Sequence, residues 1–135
     1  MSGSYVIGVD FGTLSGRALV VRTEDGAELG SAVHEYAWGA IERALPGSDV
    51  PLPPNWALQH PEDWLDVLRK AVPAALGAAG VAAEDVVGIG TDFTASTPLP
   101  VSADGTPLCL RPGLEALVSE LLPARSVFGK RRRLC

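Results

Sequence analysis

Two short apolar runs of the same kind constrain the fold of this chain more than any other feature. The runs Tyr5–Asp10 and Val86–Asp92 are rich in β-branched residues, and each ends in an aspartate followed by a loop of small and hydroxyl residues. Runs of this length and composition are typical of buried β-strands. We therefore predict that both are strands of one sheet, with each aspartate at the carboxyl end of its strand.

The residues between these two runs predict an antiparallel meander followed by a helix. Arg17–Thr23 and Ala27–Tyr36 are further apolar runs, and the Asp25-Gly26 pair between them is a hairpin signal. Pro61 is followed by two acids, which is typical of a helix start, and apolar residues then recur at helical spacing as far as Gly80. We expect a kink at Pro73, which lacks a backbone donor. The predicted order is β-β-β-α-β, an α/β fold.

Two other segments are predicted to lie outside this order. Residues 38–60 are rich in proline and have few periodic apolar positions, so we expect a long loop there. Leu99–Val101 and Leu108–Leu110 flank Asp104-Gly105, which predicts a further hairpin.

The loop after the first run has the composition of a phosphate-binding site. Glycine permits close approach of main-chain N–H groups to an anion, and hydroxyls and a guanidinium add donors. Asp10 is suited to holding hydrated Mg²⁺, which prefers carboxylate and water oxygens. The alternative is a plain β-hairpin with polar turn residues. The candidate residues are Asp10, Gly12, Thr13, Ser15 and Arg17.

The second motif, residues 88–98, leaves room for a ligand against the main chain because its residues are small. In open α/β sheets, ligands collect at the carboxyl ends of strands, so we expect Asp10 and Ala95 to face one cleft. A tight loop without a ligand is the alternative for this segment taken alone.

Composition narrows the function classes. The chain has 135 residues and a net charge of −5, which suits one small domain and gives no footprint of nucleic-acid binding. No apolar run approaches the roughly 20 residues of a membrane span, and the first residues lack the features of a secretory signal. We therefore expect a cytoplasmic protein with no membrane and no nucleic-acid partner.

With these residues in view, the chain resembles the FGGY carbohydrate kinases over about residues 5–112. The first loop is similar to the phosphate-binding pattern of that family. The second motif, Gly-Ile-Gly-Thr-Asp-Phe-Thr-Ala-Ser-Thr-Pro-Leu-Pro, is most similar to the ribulokinase branch. The resemblance implies the amino-terminal part of a ribonuclease-H-like domain, the fold of actin-like ATPases.

The resemblance also implies a reaction and a set of contacts. ATP and Mg²⁺ are the implied cofactors, and the implied reaction is phosphorylation of ribulose at its 5-hydroxyl in L-arabinose catabolism. Asp10 is the implied acid near Mg²⁺, acting through water, and Ala95 a main-chain contact to the ketose. Gly12, Thr13, Ser15 and Arg17 are the implied nucleotide-phosphate contacts. The family's general base has no counterpart here, so we assign no catalytic residue and expect no activity from this chain alone.

The resemblance stops after Pro112, which divides the chain into 1–112 and 113–135. Residues 123–135 contain five Lys and Arg and no acid. One interpretation is a shifted reading frame, and the other is a genuine helix with a basic tail. Two functions therefore remain as alternatives: another pentulose kinase such as a xylulokinase, and a non-catalytic module whose tail binds polyanions. We also expect self-association through an exposed sheet.

Overall fold

The computed structural model describes residues 4–44, 49, 51–95 and 97–112, and the backbone of Arg132–Leu134. Two compact units are formed, one by residues 1–40 with 62–95 and the other by 41–61 with 96–135. The elements are β1 (Tyr5–Phe11), β2 (Ser15–Arg22), β3 (Glu28–Glu35), β4 (Trp56–Leu58), α1 (Pro61–Asp66), a π-helical segment (Val67–Ala71), α2 (Val72–Ala79), β5 (Val86–Phe93) and β6 (Arg132–Leu134), with 3₁₀ turns at Ala83–Asp85 and Leu108–Leu110.

The first unit is built on a four-stranded sheet with the strand order β3-β2-β1-β5. β1, β2 and β3 pair antiparallel as consecutive hairpins, and β5 pairs parallel with β1. The predicted meander and the predicted fourth strand are therefore confirmed. The α/β class is confirmed as well, because a helical segment crosses between β3 and β5.

The core of this unit lies between one face of the sheet and the helical segment. Alternate residues of β1 and β2 point to this face, and they pack against one stripe of the helical segment. The fully buried members are Ile7, Val9, Phe11, Ala18, Val20, Val67, Ala71 and Ala75. The other face of β1 and β2 carries the predicted site residues Asp10 and Arg17.

The helical segment begins and ends where the sequence predicts, but its middle differs from a regular α-helix. It begins at Pro61, with two acids in the first turn. It ends at Gly80, which has a φ of 65° and whose N–H donates to the carbonyl of Gly77. Between them, the N–H of Val72 donates to the carbonyl of Val67, a π-type bond. The departure from α-helical bonding thus begins before Pro73, whose ring and missing donor disfavour the α pattern.

Glycine in β2 and β3 allows the helical segment to approach the sheet closely. A Cβ on Gly30 would lie 2.5 Å from the nitrogen of Ala79 and 2.8 Å from the carbonyl oxygen of Ala75. A Cβ on Gly16 would overlap the side chain of Val67. The helix therefore rests on main chain at two points of the sheet.

Asp63 ties the segment after β3 to the first turn of α1. Its carboxylate is 2% exposed and accepts hydrogen bonds from the backbone N–H groups of Ala37, Trp38 and Gly39 at 2.9–3.4 Å. Hydrogen bonds of this kind satisfy a buried charge. The sequence predicted Asp63 only as a helix-start acid, because its three donors come from a distant segment.

Tyr36, at the end of β3, lies beside this anchor. Its backbone N–H donates to the carbonyl of Leu14 at 3.0 Å, which joins the end of β3 to the first loop. Its hydroxyl oxygen is buried and has no hydrogen-bond partner among the residues that the structure describes. Burial, followed by the charges of Asp63 and Asp10, raises the pKa of Tyr36 to about 12.

The second unit corrects two predictions. The segment expected to be a loop contains β4, which pairs parallel with β6, and Ile41 forms a bridge with Leu58. The expected hairpin has its turn, because the N–H of Ser102 donates to the carbonyl of Thr106, but its second arm Leu108–Leu110 is a 3₁₀ turn. The Ser102 hydroxyl and the Thr106 N–H hold the pKa of Asp104 at about 2. The predicted division at residue 112 stays a prediction, since residues 113–131 lie outside the described ones.

None of the helices in the described part of the chain is long and apolar enough to span a membrane.

The close contact at Gly30 generates the first prediction. Gly30→Ala is expected to lower the free energy of unfolding by about 1–3 kcal/mol, because its Cβ meets backbone atoms that move only with the helix. Gly77→Ala is the matched control, since a Cβ there meets nothing within 4 Å and alanine favours the helix by about 0.5–1 kcal/mol. Urea unfolding followed by circular dichroism measures both variants, and equal stabilities would contradict the close contact.

The buried hydroxyl of Tyr36 generates the second prediction. Unfolded tyrosine loses its proton near pH 10, whereas in the folded chain the pKa of Tyr36 is about 12. The unfolded state therefore binds fewer protons in this window, and stability falls as the pH rises from about 10 to 12. Tyr36→Phe is expected to show a smaller fall across that window. At pH 7 the variant is expected to be at least as stable as the parent, because the lost hydroxyl has no partner. Identical pH profiles would contradict the placement of the hydroxyl.

Candidate ligand-binding site

The register between β1 and β5 places the two strand-ending aspartates side by side. Asp10 is paired with Asp92 in the parallel ladder, and on its other side Asp10 is paired with Arg17 of β2. Paired residues on neighbouring strands point to the same face. A row of one cation and two carboxylates therefore crosses three strands, on the face away from the helical segment.

These three side chains line a cavity of about 470 Å³. The rest of its lining comes from the same three strands, β1, β2 and β5, namely Gly8, Val9, Leu19, Gly90 and Thr91. The cavity therefore draws on both motifs that the sequence singled out. Cavities of this size fall in the range of small-molecule sites, about 300–1,000 Å³.

A pair of glycines leaves the floor of the cavity open. Gly8 is paired with Gly90 across the ladder, and a Cβ on either residue would meet nothing within 4 Å. Glycine weakens the interior of a strand and commonly marks a place where a ligand approaches the main chain. Here the glycine pair exposes main chain beside the carboxylates of Asp10 and Asp92.

The first loop forms a tight turn between β1 and β2. The N–H of Gly12 donates to the carbonyl of Ser15 at 3.0 Å, and a Cβ on Gly12 would lie 2.8 Å from that same oxygen. Gly12 and Thr13 lie in this turn, and Ser15 begins β2. Of the five residues predicted here, Asp10 and Arg17 line the cavity, whereas Gly12, Thr13 and Ser15 do not.

The second loop starts beside the first. The N–H of Thr94 donates to the carbonyl of Phe11 at 3.2 Å, and the rings of Phe11 and Phe93 stack with centroids 4.6 Å apart. Ala95 follows directly and is exposed, but it is not among the residues that line the cavity. Its contact with a ketose, like the phosphate contacts of the first loop, stays a prediction.

Asp92 lines the cavity although it was not among the site residues predicted from the sequence. One oxygen of its carboxylate accepts the N–H of Phe93 at 2.9 Å, which orients the group and leaves the second oxygen available. The parallel between the two strand-aspartate runs was the signal that pointed to it. Its place beside Asp10 depends on the strand register, which the sequence does not reveal.

The charges of the cavity suit a hydrated cation and a phosphate together. Arg17 offers donors to an anion, and the two carboxylates offer the oxygen ligands that Mg²⁺ prefers. Within the described ranges no group of three or more His, Cys, Asp or Glu residues has the arrangement of a metal site. Two carboxylates on one face are compatible with Mg²⁺ that keeps much of its water shell, and the role of Asp10 at such an ion stays a prediction.

Comparison with known proteins identifies relatives of this chain, although no family model matches it. It is 62% identical over 106 residues to a ribulokinase of Mycolicibacterium smegmatis, a match that covers 78% of this chain and 19% of the relative. A ribulokinase of Geobacillus thermodenitrificans is 54% identical over 112 residues, 83% of this chain and 20% of the relative. A ribulokinase of Halalkalibacterium halodurans is 50% identical over 110 residues, which cover 82% of this chain and 20% of the relative.

The chain thus spans about a fifth of the length of these curated relatives. Identity of this level over some four-fifths of the chain establishes the relationship, and it includes the strands that build the cavity. Over that length, the chain is similar in sequence to ribulokinases, which are carbohydrate kinases.

Proposed function

We propose that this chain supplies part of the nucleotide and ketose site of an ATP-dependent ribulokinase, which phosphorylates the 5-hydroxyl of ribulose in L-arabinose catabolism. The observation that carries the proposal is the single cavity to which both motifs contribute, with Asp10 and Arg17 from one and Asp92 from the other. Its support from sequence is the set of relatives named ribulokinase, with identities of 62%, 54% and 50%.

Each polar group of the cavity has a role in this proposal. Phosphoryl transfer depends on positioning and on neutralising the charge of the transferred group. Arg17 and the turn residues Gly12 and Thr13 contact the phosphates, with the hydroxyls of Thr13 and Ser15 as donors. Asp10 holds Mg²⁺ through water, and the main chain at Ala95 contacts the ketose. When bound, Mg²⁺ supplies charge neutralisation on the phosphate oxygens.

The fold proposed for the whole domain is ribonuclease-H-like. The observed strand order β3-β2-β1-β5, with β5 parallel to β1, supports the opening of such a sheet. We propose a cytoplasmic setting, as expected from the sequence. We also propose that the general base of the reaction lies outside this chain.

Ribulose is favoured over xylulose as the substrate because the relatives are named ribulokinases. A non-catalytic module with a basic tail is the rival from another class. The cavity and the relatives named ribulokinases favour the kinase, and residues 123–131 lie outside the described part of the chain.

The proposal predicts kinase activity in a chimera. Residues 5–112 of this chain would replace the corresponding segment of the Mycolicibacterium smegmatis ribulokinase, to which the chain is 62% identical. The chimera is expected to phosphorylate ribulose with ATP, and the chain alone is expected to show no turnover. A coupled assay for ADP release measures both.

Two variants of the chimera sharpen this test. Asp10→Asn is expected to lower kcat by about 100-fold or more, because it removes charge stabilisation at the transferred phosphate. Asp25→Asn is the control, since Asp25 lies in the β2–β3 turn and pairs with Arg22 at 2.7 Å. A folded chimera without activity, or equal activity in the two variants, would contradict the proposal.

We further propose that β5 promotes association of copies of this chain. It is the outer strand of the sheet among the described residues, and Val87, Ile89 and Phe93 are 67%, 59% and 57% exposed. An exposed apolar edge strand is a template for pairing with a second copy.

Analytical ultracentrifugation over a range of concentrations tests this association. Ile89→Lys is expected to shift the chain toward monomer, because a charged side chain on the edge strand disfavours pairing with a second copy. Val33→Lys is the matched control on β3, the opposite edge strand, where the valine is 51% exposed. A monomeric parent chain, or an equal effect of both variants, would count against association through β5.

A further inference from the structure

The proposed function leaves two features of the cavity without a role, the second carboxylate and the glycine pair. Asp92 lies beside Asp10 in the ladder, and the pair Gly8 and Gly90 lies two residues earlier, on the same face. Like charges on neighbouring strands disfavour the sheet, and glycine weakens a strand interior. Both features cost stability in the same place, so a ligand is the simplest reason for them.

The geometry of Asp92 indicates which kind of contact it makes. The oxygen that accepts the N–H of Phe93 at 2.9 Å is already engaged, and the carboxylate is exposed toward the cavity. The remaining oxygen is an acceptor in a fixed direction. A hydroxyl group is the donor that matches one oriented acceptor, and an anion such as phosphate is repelled by it.

The floor indicates how close the ligand comes. A Cβ on Gly8 or on Gly90 would have open space within 4 Å, so a ligand atom is able to reach the main chain there without displacing the protein. The row across the sheet then offers acceptors at Asp92 and Asp10 and donors at Arg17. Two neighbouring acceptors beside a donor suit a compound with several adjacent hydroxyl groups.

We propose that Asp92 and the Gly8–Gly90 floor are specificity-determining parts of the ketose subsite, in which Asp92 accepts a hydrogen bond from a ketose hydroxyl other than the one phosphorylated. The inference rests on the proposed function and deepens it, because it adds a side-chain contact on the strand to the main-chain contact proposed at Ala95. Asp92 selects for a hydroxyl at one position of the substrate, and the glycines set the distance of the carbon chain from the sheet.

Four variants of the chain separate this role from a structural one. Asp92→Asn keeps the shape and the bond from Phe93 but turns a donor toward the cavity. Gly90→Val fills the floor and adds a β-branched residue to a strand, so the fold is expected to tolerate it. Gly88→Val is its matched control, on the same face of β5 but outside the cavity, where a Cβ would lie 3.9 Å from Val6. Glu84→Gln is the control for charge, in the 3₁₀ turn before β5.

The experiment is a titration of the ¹⁵N-labelled 135-residue chain with ribulose, followed by NMR, with Mg²⁺ and inorganic phosphate as separate probes. Ribulose is expected to shift the amides of Gly8, Gly90 and Asp92. Asp92→Asn and Gly90→Val are each expected to weaken its binding by about tenfold or more, because a hydrogen bond to a charged group or the space for the ligand is lost. Gly88→Val and Glu84→Gln are expected to keep the parent affinity.

Several results would overturn the inference. Unchanged ribulose affinity in Asp92→Asn is decisive even if Gly90→Val fails to fold. A response of Asp92 to Mg²⁺ but not to ribulose would assign the carboxylate to the cation. If ribulose changes the amide chemical shifts of Thr94 and Ala95 alone, Asp92 is not part of the subsite, and the proposed function still stands. No response to ribulose anywhere in the chain would also overturn it, while the activity of the chimera decides the proposed function independently.

Discussion

The parallel pairing of β5 with β1 is the interaction on which the rest of this structure depends. The two strands are far apart in sequence, and only their pairing brings Asp10 and Asp92 onto one face and joins both motifs in one cavity. Parallel strands need a crossover, which here is the meander together with the helical segment packed on the opposite face. The cavity is thus a consequence of the topology.

The helical segment packs closely against β2 and β3, on the face of the sheet away from the cavity. Gly16 and Gly30 let it pack directly on the main chain of β2 and β3. At its start, the carboxylate of Asp63 accepts hydrogen bonds from the N–H groups of residues 37–39. Tyr36, which directly precedes residues 37–39, donates its backbone N–H to the carbonyl of Leu14 in the first loop. The loop predicted to meet phosphate is therefore hydrogen-bonded to the segment that the buried Asp63 anchors. Such support fixes the direction of groups that face a ligand.

Most of the first unit could be predicted from the sequence because its signals are local. The β-branched runs, the Asp25-Gly26 turn, the acids after Pro61 and the glycine at position 80 each act within a few residues of the element they specify. Asp10 and Arg17 were predicted as site residues for the same reason, since both stand next to a glycine-rich turn. Family resemblance added the chemistry that local patterns do not contain.

What the sequence did not reveal depends on contacts between distant residues. β4 has only three residues and is defined by pairing with β6. The three donors of Asp63 lie 24–26 residues away along the chain. The place of Asp92 in the cavity requires the exact register of β5 on β1, because a slip of one residue would turn its side chain to the other face.

That register is the central claim, and interstrand nuclear Overhauser effects measure it most directly. In the labelled chain, the ladder predicts contacts between the backbone protons of β1 and β5 that align Asp10 with Asp92 and Gly8 with Gly90. Contacts shifted by one residue, which align Asp10 with Thr91 or with Phe93, would contradict it, because the two carboxylates would then point to opposite faces of the sheet.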